Sequence, residues 1–241
     1  MKRVTGFNYI LLTLGAFGGL MLEAIIAYGI EPFLYGRQLV EWSDLQHITH
    51  WIITCIMWGI ISFLIMNFAK RKYDFDIWRK GKKVKTWQWI LVVVLICGSL
   101  TMSYIEWNGS KVLLEFQKLG VLRFFFQYIY YIFEIVLVTL ILVFGQIACE
   151  KWFKRVNIPY GGIVIAITWG MGHFLTKDFS TGISCMFLGL AYGKRMMVMS
   201  LPFIVGIIID IQYQGTGCLI AWMIWLIMFI LLLIDRHKRE R

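Results

Sequence analysis

Charge is what this chain has least of. Asp, Glu, Lys and Arg make up 16% of its 241 residues while 59% are apolar, and the mean hydropathy is +0.71. A soluble domain carries roughly a quarter charged residues and about 45–50% apolar ones, so there is too little polar surface here to coat a water-soluble globule. There is no internal repeat, no low-complexity tract and no second soluble domain, which sets aside solenoids and disordered linkers. The five cysteines (Cys55, Cys97, Cys149, Cys185 and Cys218) fall in five different segments, with neither metal nor redox spacing. They read as small buried hydrophobes and not as a disulfide framework.

What the chain does have is long apolar blocks. Their length points to helical spans and away from the short alternating runs of a barrel. The expected fold class is all-α, a polytopic membrane helix bundle of about eight transmembrane helices, forming a single transmembrane domain over residues 1–241. Spans are expected near 7–30, 47–69, 87–105, 121–149, 160–175, 181–193, 197–211 and 217–234, the fifth to seventh being short. The run after Lys2 and Arg3 is too long for the core of a signal peptide and is read as the first span.

Lys and Arg outnumber Asp and Glu by 24 to 14, a net charge of +10. The excess sits in every second loop: Lys2 and Arg3, eight residues from Lys70 to Lys85, then Lys151, Lys154 and Arg155, then Lys194 and Arg195, and four from Arg236 to Arg241. The intervening loops are poor in both. That alternation is the positive-inside pattern of eight spans with both termini cytoplasmic. Trp51, Trp87, Trp89, Trp107 and Trp152 near the expected ends suit interfacial belts. Membrane lipids are the implied partners and nucleic acid is not. The expected location is a membrane, as an integral protein of the bacterial plasma membrane.

An ionisable side chain at mid-bilayer costs at least about 2.5–3.5 kcal/mol on insertion scales and faces the protein interior. Four such residues stand within expected spans: Glu23, Glu134, His173 and Asp210. Glu134 lies at the centre of the fourth span, with Tyr130 and Tyr131 four and three residues before it on the same helical face. It reads either as a general base or as a structural acid held by tyrosine hydroxyls. His173 closes Trp169-Gly170-Met171-Gly172-His173, where two glycines permit close helix approach. It is either a proton carrier, ligand or water-orienting group, or a histidine hydrogen-bonded at a helix end. Asp210 ends the seventh span and reads as an interface residue or as part of the same site. Glu23, with Glu31 and Arg37 beyond it, is read as structural. His47 and His50, preceded by Glu41 and Asp44, have the composition of an outer-surface metal site, although i+3 steps walk around a helix.

One mid-span acid, one His in the next span and one acid two spans later form an ordered set. It resembles the CPBP family of intramembrane proteases, which includes the CAAX prenyl endopeptidases and relatives linked to bacteriocin processing and self-immunity. Its motifs are a Glu-Glu-x-x-x-Arg helix, then Phe-x-x-x-His, then His-x-x-x-Asn or Asp. Glu134 matches the first acid, Trp169-x-x-x-His173 the second motif with Trp for Phe, and Gly206-x-x-x-Asp210 the third. The resemblance covers residues 121–211. The chain departs from it at Ile135 for the second Glu, Thr139 for the Arg and Gly206 for the third-motif His. It implies that Glu134 and His173 activate a water for peptide hydrolysis. Asp210 would orient His173 or bind substrate, and Tyr130, Tyr131, Trp169 and Gly206 would support the site or the substrate. Gly206 brings no side-chain donor, and one missing oxyanion donor typically costs about 10²–10³ in rate. No cofactor is expected: catalytic zinc wants three protein ligands, for which Glu134, His173 and Asp210 are the obvious set.

Three functions follow as expectations. The first is an intramembrane endopeptidase of CAAX type acting on a peptide or membrane-protein substrate. The second is a pseudoenzyme, a catalytically inactive relative serving as membrane scaffold, immunity or regulatory protein. The third is a small proton-coupled transporter.

Overall fold

The computed structural model describes residues 4–77, 108–156, 158 and 160–176, with scattered positions within 86–104 and 179–186. Among the described residues every regular element is helical and none is a strand. Three helices are long and apolar enough to cross a membrane, Gly6–Tyr35, Asp44–Tyr73 and Lys111–Phe153. This is the architecture of an α-helical integral membrane protein.

The chain divides into two units, Met1–Gly81 with Leu122–Met197, and Lys82–Val121 with Val198–Arg241. Most described residues belong to the first. Its first apolar run is built from α1 (Gly6–Ile25), a π-turn (Ile26–Ile30) and α2 (Glu31–Tyr35). Asn8 Oδ1 accepts the Thr5 N–H at 2.8 Å at its start, and Gly36 ends it in the left-handed region at φ 62°. The helix therefore runs five residues beyond the expected end at residue 30, and it does so through a proline. Pro32 has no N–H for the Tyr28 carbonyl, and its ring crowds that carbonyl. The preceding turn widens in response, with the Glu31 N–H reaching Ile26 O. Helices accommodate such a defect as a π-bulge.

Helix α3 (Asp44–Tyr73) returns antiparallel to α1. Ser43 and Gln46 form a reciprocal capping box, with Ser43 N–H to Gln46 Oε1 at 2.8 Å and Gln46 N–H to Ser43 Oγ at 3.3 Å. Two of the four free N–H groups at a helix start are satisfied in this way. Lys70, Arg71 and Lys72 complement the dipole in the last turn. Trp58 locks α3 to α1 by donating its indole N–H to Gly19 O at 2.9 Å.

Helix α4 (Lys111–Phe153) departs from helical geometry at Gly120, φ 71° and ψ 168°, next to the junction of the two units. Within the first unit it is the central element. Leu140 to Gln146 is buried without a break, as expected of a helix apolar all round and enclosed by neighbours. Leu137, Ile141, Phe144 and Ala148 pack with Tyr9, Leu12, Ala16 and Leu20 of α1 and with Trp58 of α3. Large apolar side chains on the other faces are exposed, among them Phe7, Leu11 and Leu14 on α1 and Ile56, Ile60 and Phe63 on α3. A soluble monomer rarely exposes so continuous an apolar surface, which is what a lipid-facing side requires.

After α4 the chain turns into α5 (Tyr160–Ile165), a second π-turn (Ala166–Gly170) and α6 (Met171–Thr176). The buried Gln146 fastens this turn, donating to Ile158 O at 2.9 Å and accepting the Gly161 N–H at 2.8 Å. A Cβ on Gly161 would stand 2.6 Å from Leu142 O, so only glycine lets α5 pack this closely. The expected fifth span, 160–175, is thus one broken helix. The second π-turn also has a local cause, since the Thr168 hydroxyl competes for Val164 O at 2.6 Å. The spans expected at 197–211 and 217–234 lie outside the described residues.

Candidate functional site

Two polar clusters stand within this apolar unit. The first is built on α4 and the α5–α6 segment. Trp169 Nε1–H donates to Glu134 Oε1 at 2.8 Å, joining two residues 35 apart. His173 lies one turn beyond Trp169, its ring edge-on to the indole at 4.6 Å. Its Nδ1 is 2.8 Å from Trp169 O. A carbonyl only accepts, so Nδ1 carries a proton, and in the neutral form of the ring Nε2 is then an acceptor. Glu134, Trp169 and His173 are therefore one constellation, held in place by the second π-turn.

The glycines flanking this segment differ in role. A Cβ on Gly170 would stand 2.8 Å from the Met186 backbone, whereas one on Gly172 would meet only the end of the Met21 side chain, at 3.3 Å. Tyr130 and Tyr131 diverge. The Tyr131 hydroxyl accepts from Gln127 at 2.6 Å. Tyr130 packs under Trp58 at 4.8 Å, its hydroxyl bonds Glu23 of α1, and the Glu134 charge also acts on it. Gly206 and Asp210 lie outside the described residues.

The second cluster was read from the sequence as separate residues. His50 of α3 is pinned between two acids from the first run, Nδ1 at 2.6 Å from Glu31 Oε2 and Nε2 at 3.4 Å from Glu23 Oε1. Glu31 and His50 are each only 3% exposed. On a regular helix, eight residues make about 2.2 turns, which would leave Glu31 about 80° around from Glu23. The wider π-turn between them takes up that excess and brings both carboxylates to His50. Trp42, from the loop joining α2 to α3, covers His50 with ring centroids 5.6 Å apart, and its own indole N–H donates to Arg37 O.

Glu23, read from the sequence as structural, is hydrogen-bonded to His50 of α3 and to Tyr130 of α4. The His47–His50 pair does not converge with Glu41 and Asp44 on a metal. His50 faces inward, His47 bonds Ser43 O at 3.0 Å, and Asp44 pairs with Arg123 at 3.0 Å. Among the described residues no group of three or more His, Cys, Asp or Glu is arranged to hold a metal ion. The signal that would have found the second cluster is Pro32. A proline one residue after a glutamate, inside an apolar run, marks a bulge that carries the helix and its acid onward.

Antiparallel packing sets the level at which the clusters meet. Gly6 lies against Ala148 and Gly19 against Leu137, so Glu23 comes level with Tyr130 and Glu134. Comparison with protein-family models, curated proteins and solved structures finds no match to this chain.

Proposed function

We propose that this chain is an eight-span protein of the bacterial plasma membrane with both termini cytoplasmic, a divergent relative of the CPBP intramembrane proteases, and that it hydrolyses peptide bonds near the membrane surface. Glu134 takes a proton from a water molecule that His173 orients through Nε2, the resulting hydroxide adds to the peptide carbonyl carbon, and protonated Glu134 returns that proton to the leaving amine as the C–N bond breaks. The observation that carries this reading is the Glu134–Trp169–His173 constellation. A carboxylate in an apolar bundle accepts from a neutral indole N–H, while a neighbouring imidazole keeps Nε2 as an acceptor. The Trp that stands where the family pattern has Phe is the residue whose N–H reaches Glu134, so this departure supplies a hydrogen bond that Phe lacks.

Wild type, Glu134→Gln and His173→Ala, purified in detergent, are incubated with a diverse peptide mixture and a membrane extract, and new termini are counted by mass spectrometry. Termini that appear with wild type alone support hydrolysis. Equal cleavage by a folded Glu134→Gln protein removes it.

A second reading is favoured by one feature of the same geometry. Glu134 Oε1 is already engaged by Trp169, which suits a structural acid in a non-catalytic relative that binds a membrane partner. Cellular function that survives His173→Ala at normal expression supports that reading.

A further inference from the structure

The contacts of His50 do not balance without added protons. Both ring nitrogens face a carboxylate oxygen, Nδ1 at Glu31 and Nε2 at Glu23. A neutral imidazole carries one N–H, so it satisfies one of these contacts and sets a lone pair against an oxygen lone pair at the other. One extra proton, on the ring or on a carboxyl, removes that conflict. With that proton the group still has a net charge of −1, from two carboxylates and one imidazolium. The side chains of His50 and Glu31 are both only 4% exposed, and Glu31 Oε1 is buried with no hydrogen-bond partner. A buried charge on an atom with no partner is the arrangement proteins avoid.

We propose that Glu31, His50 and Glu23 form a buried proton-binding site that holds two exchangeable protons at neutral pH, one shared between His50 and a carboxylate and the second on Glu31.

The groups that face the site bear this out as its only charge balance among the described contacts. On the first run, Tyr28 faces Glu23 and Tyr35 faces Glu31. On α3, His47 is the neighbouring titratable group of His50. On α4, the Tyr130 hydroxyl bonds Glu23 and Glu134 stands beyond it. None of the groups just named is a lysine or arginine; Arg123, which acts on His47, pairs with Asp44. Among the described contacts, protons are therefore the cations left to neutralise the cluster. Trp42 of the α2–α3 loop covers His50, and Tyr130, which bonds Glu23, also feels the Glu134 charge. The site stands whether or not Glu134 hydrolyses a peptide, because it rests on the contacts of His50 and on the burial of Glu31. If hydrolysis occurs, the site stores protons beside the acid that accepts them.

Infrared spectroscopy of the full chain in nanodiscs reads the second proton directly, as a carboxylic C=O band present at about neutral pH, where an exposed glutamate is ionised. The expected result is loss of one such band in Glu31→Gln and its retention in Glu134→Gln. The amide at position 31 still accepts from His50, so that variant keeps the contact that supports the fold. Nitrogen NMR of the wild type with labelled histidine needs no variant and reads the first proton; both nitrogens of His50 are expected to be protonated or to share a proton. The absence of any carboxylic band together with a singly protonated His50 overturns the site. A band that persists in Glu31→Gln and vanishes in Glu23→Gln overturns the assignment to Glu31. None of these outcomes depends on peptide cleavage, so the failure of one reading does not conceal the failure of the other.

Discussion

The two clusters use the same residue types in opposite ways. Around Glu134 the acid is held by a neutral indole, and the imidazole of His173 is tied to its own backbone. Around His50 the imidazole is the tie, gripped by acids on both sides. The first arrangement leaves a basic nitrogen and a carboxylate with capacity to act on something else. The second uses both ring nitrogens internally and needs added protons to balance its acids. A buried histidine between acids is thus a structural element that also stores charge, while a histidine bonded to a carbonyl contributes little to stability and keeps its chemistry.

Replacing each histidine breaks the comparison most sharply. His50→Ala leaves the buried Glu31 and the partly buried Glu23 without their common partner, and removing one member of a buried charged group typically costs about 3–5 kcal/mol. His173→Ala removes a single bond to a backbone carbonyl, worth about 0.5–1.5 kcal/mol. Denaturant unfolding in mild detergent should therefore separate the two variants clearly. Equal losses would mean that the second cluster is not the stronger tie.

The acids give the converse test. Glu134→Gln keeps an oxygen for Trp169 to donate to, so stability should change by less than about 1 kcal/mol. Peptide cleavage should fall by at least about 10² if Glu134 is a general base. Trp169→Phe removes the donor and keeps the ring beside His173. Its cost should be about 1–3 kcal/mol, because a part-buried carboxylate oxygen loses this donor. A Trp169→Phe variant as stable as wild type would show that other contacts of Glu134 already satisfy it.

Legibility in the sequence followed the range of the forces involved. The apolar blocks and the basic loops are local features, and the three long helices correspond to blocks visible in the sequence. Glu134 and His173 stood out because each is one expensive residue in an apolar run. Their junction through Trp169 depends on an indole N–H 35 residues away, which no local pattern encodes. The Glu23–Glu31–His50 cluster was harder to see. Its members lay at what looked like span ends, where polar residues are ordinary, and its geometry depends on one extra residue in one helical turn. Pro32 was in plain view, and its effect on the turn before it was the missing step.

Pro32 supplies the smallest and most informative test of the difference between the clusters. Pro32→Ala restores an N–H for Tyr28 O and relieves the ring clash, a gain of up to about 3 kcal/mol in a helix interior. A regular turn would, however, swing Glu31 away from the face that holds Glu23, and a hydrogen bond between charged groups is worth about 1.5–3 kcal/mol. The two terms nearly cancel, so net stability should move by under about 1 kcal/mol. Hydrogen exchange at Ile26–Ile30 then decides which term holds the turn. Slower exchange, with His50 freed from Glu31 in the nitrogen spectrum, would mean that the proline makes the bulge and the cluster depends on it. Unchanged exchange with His50 still doubly bonded would mean that the imidazole itself holds the turn open, which the Glu134 side could not do, since His173 bonds nothing beyond its own helix among the described contacts.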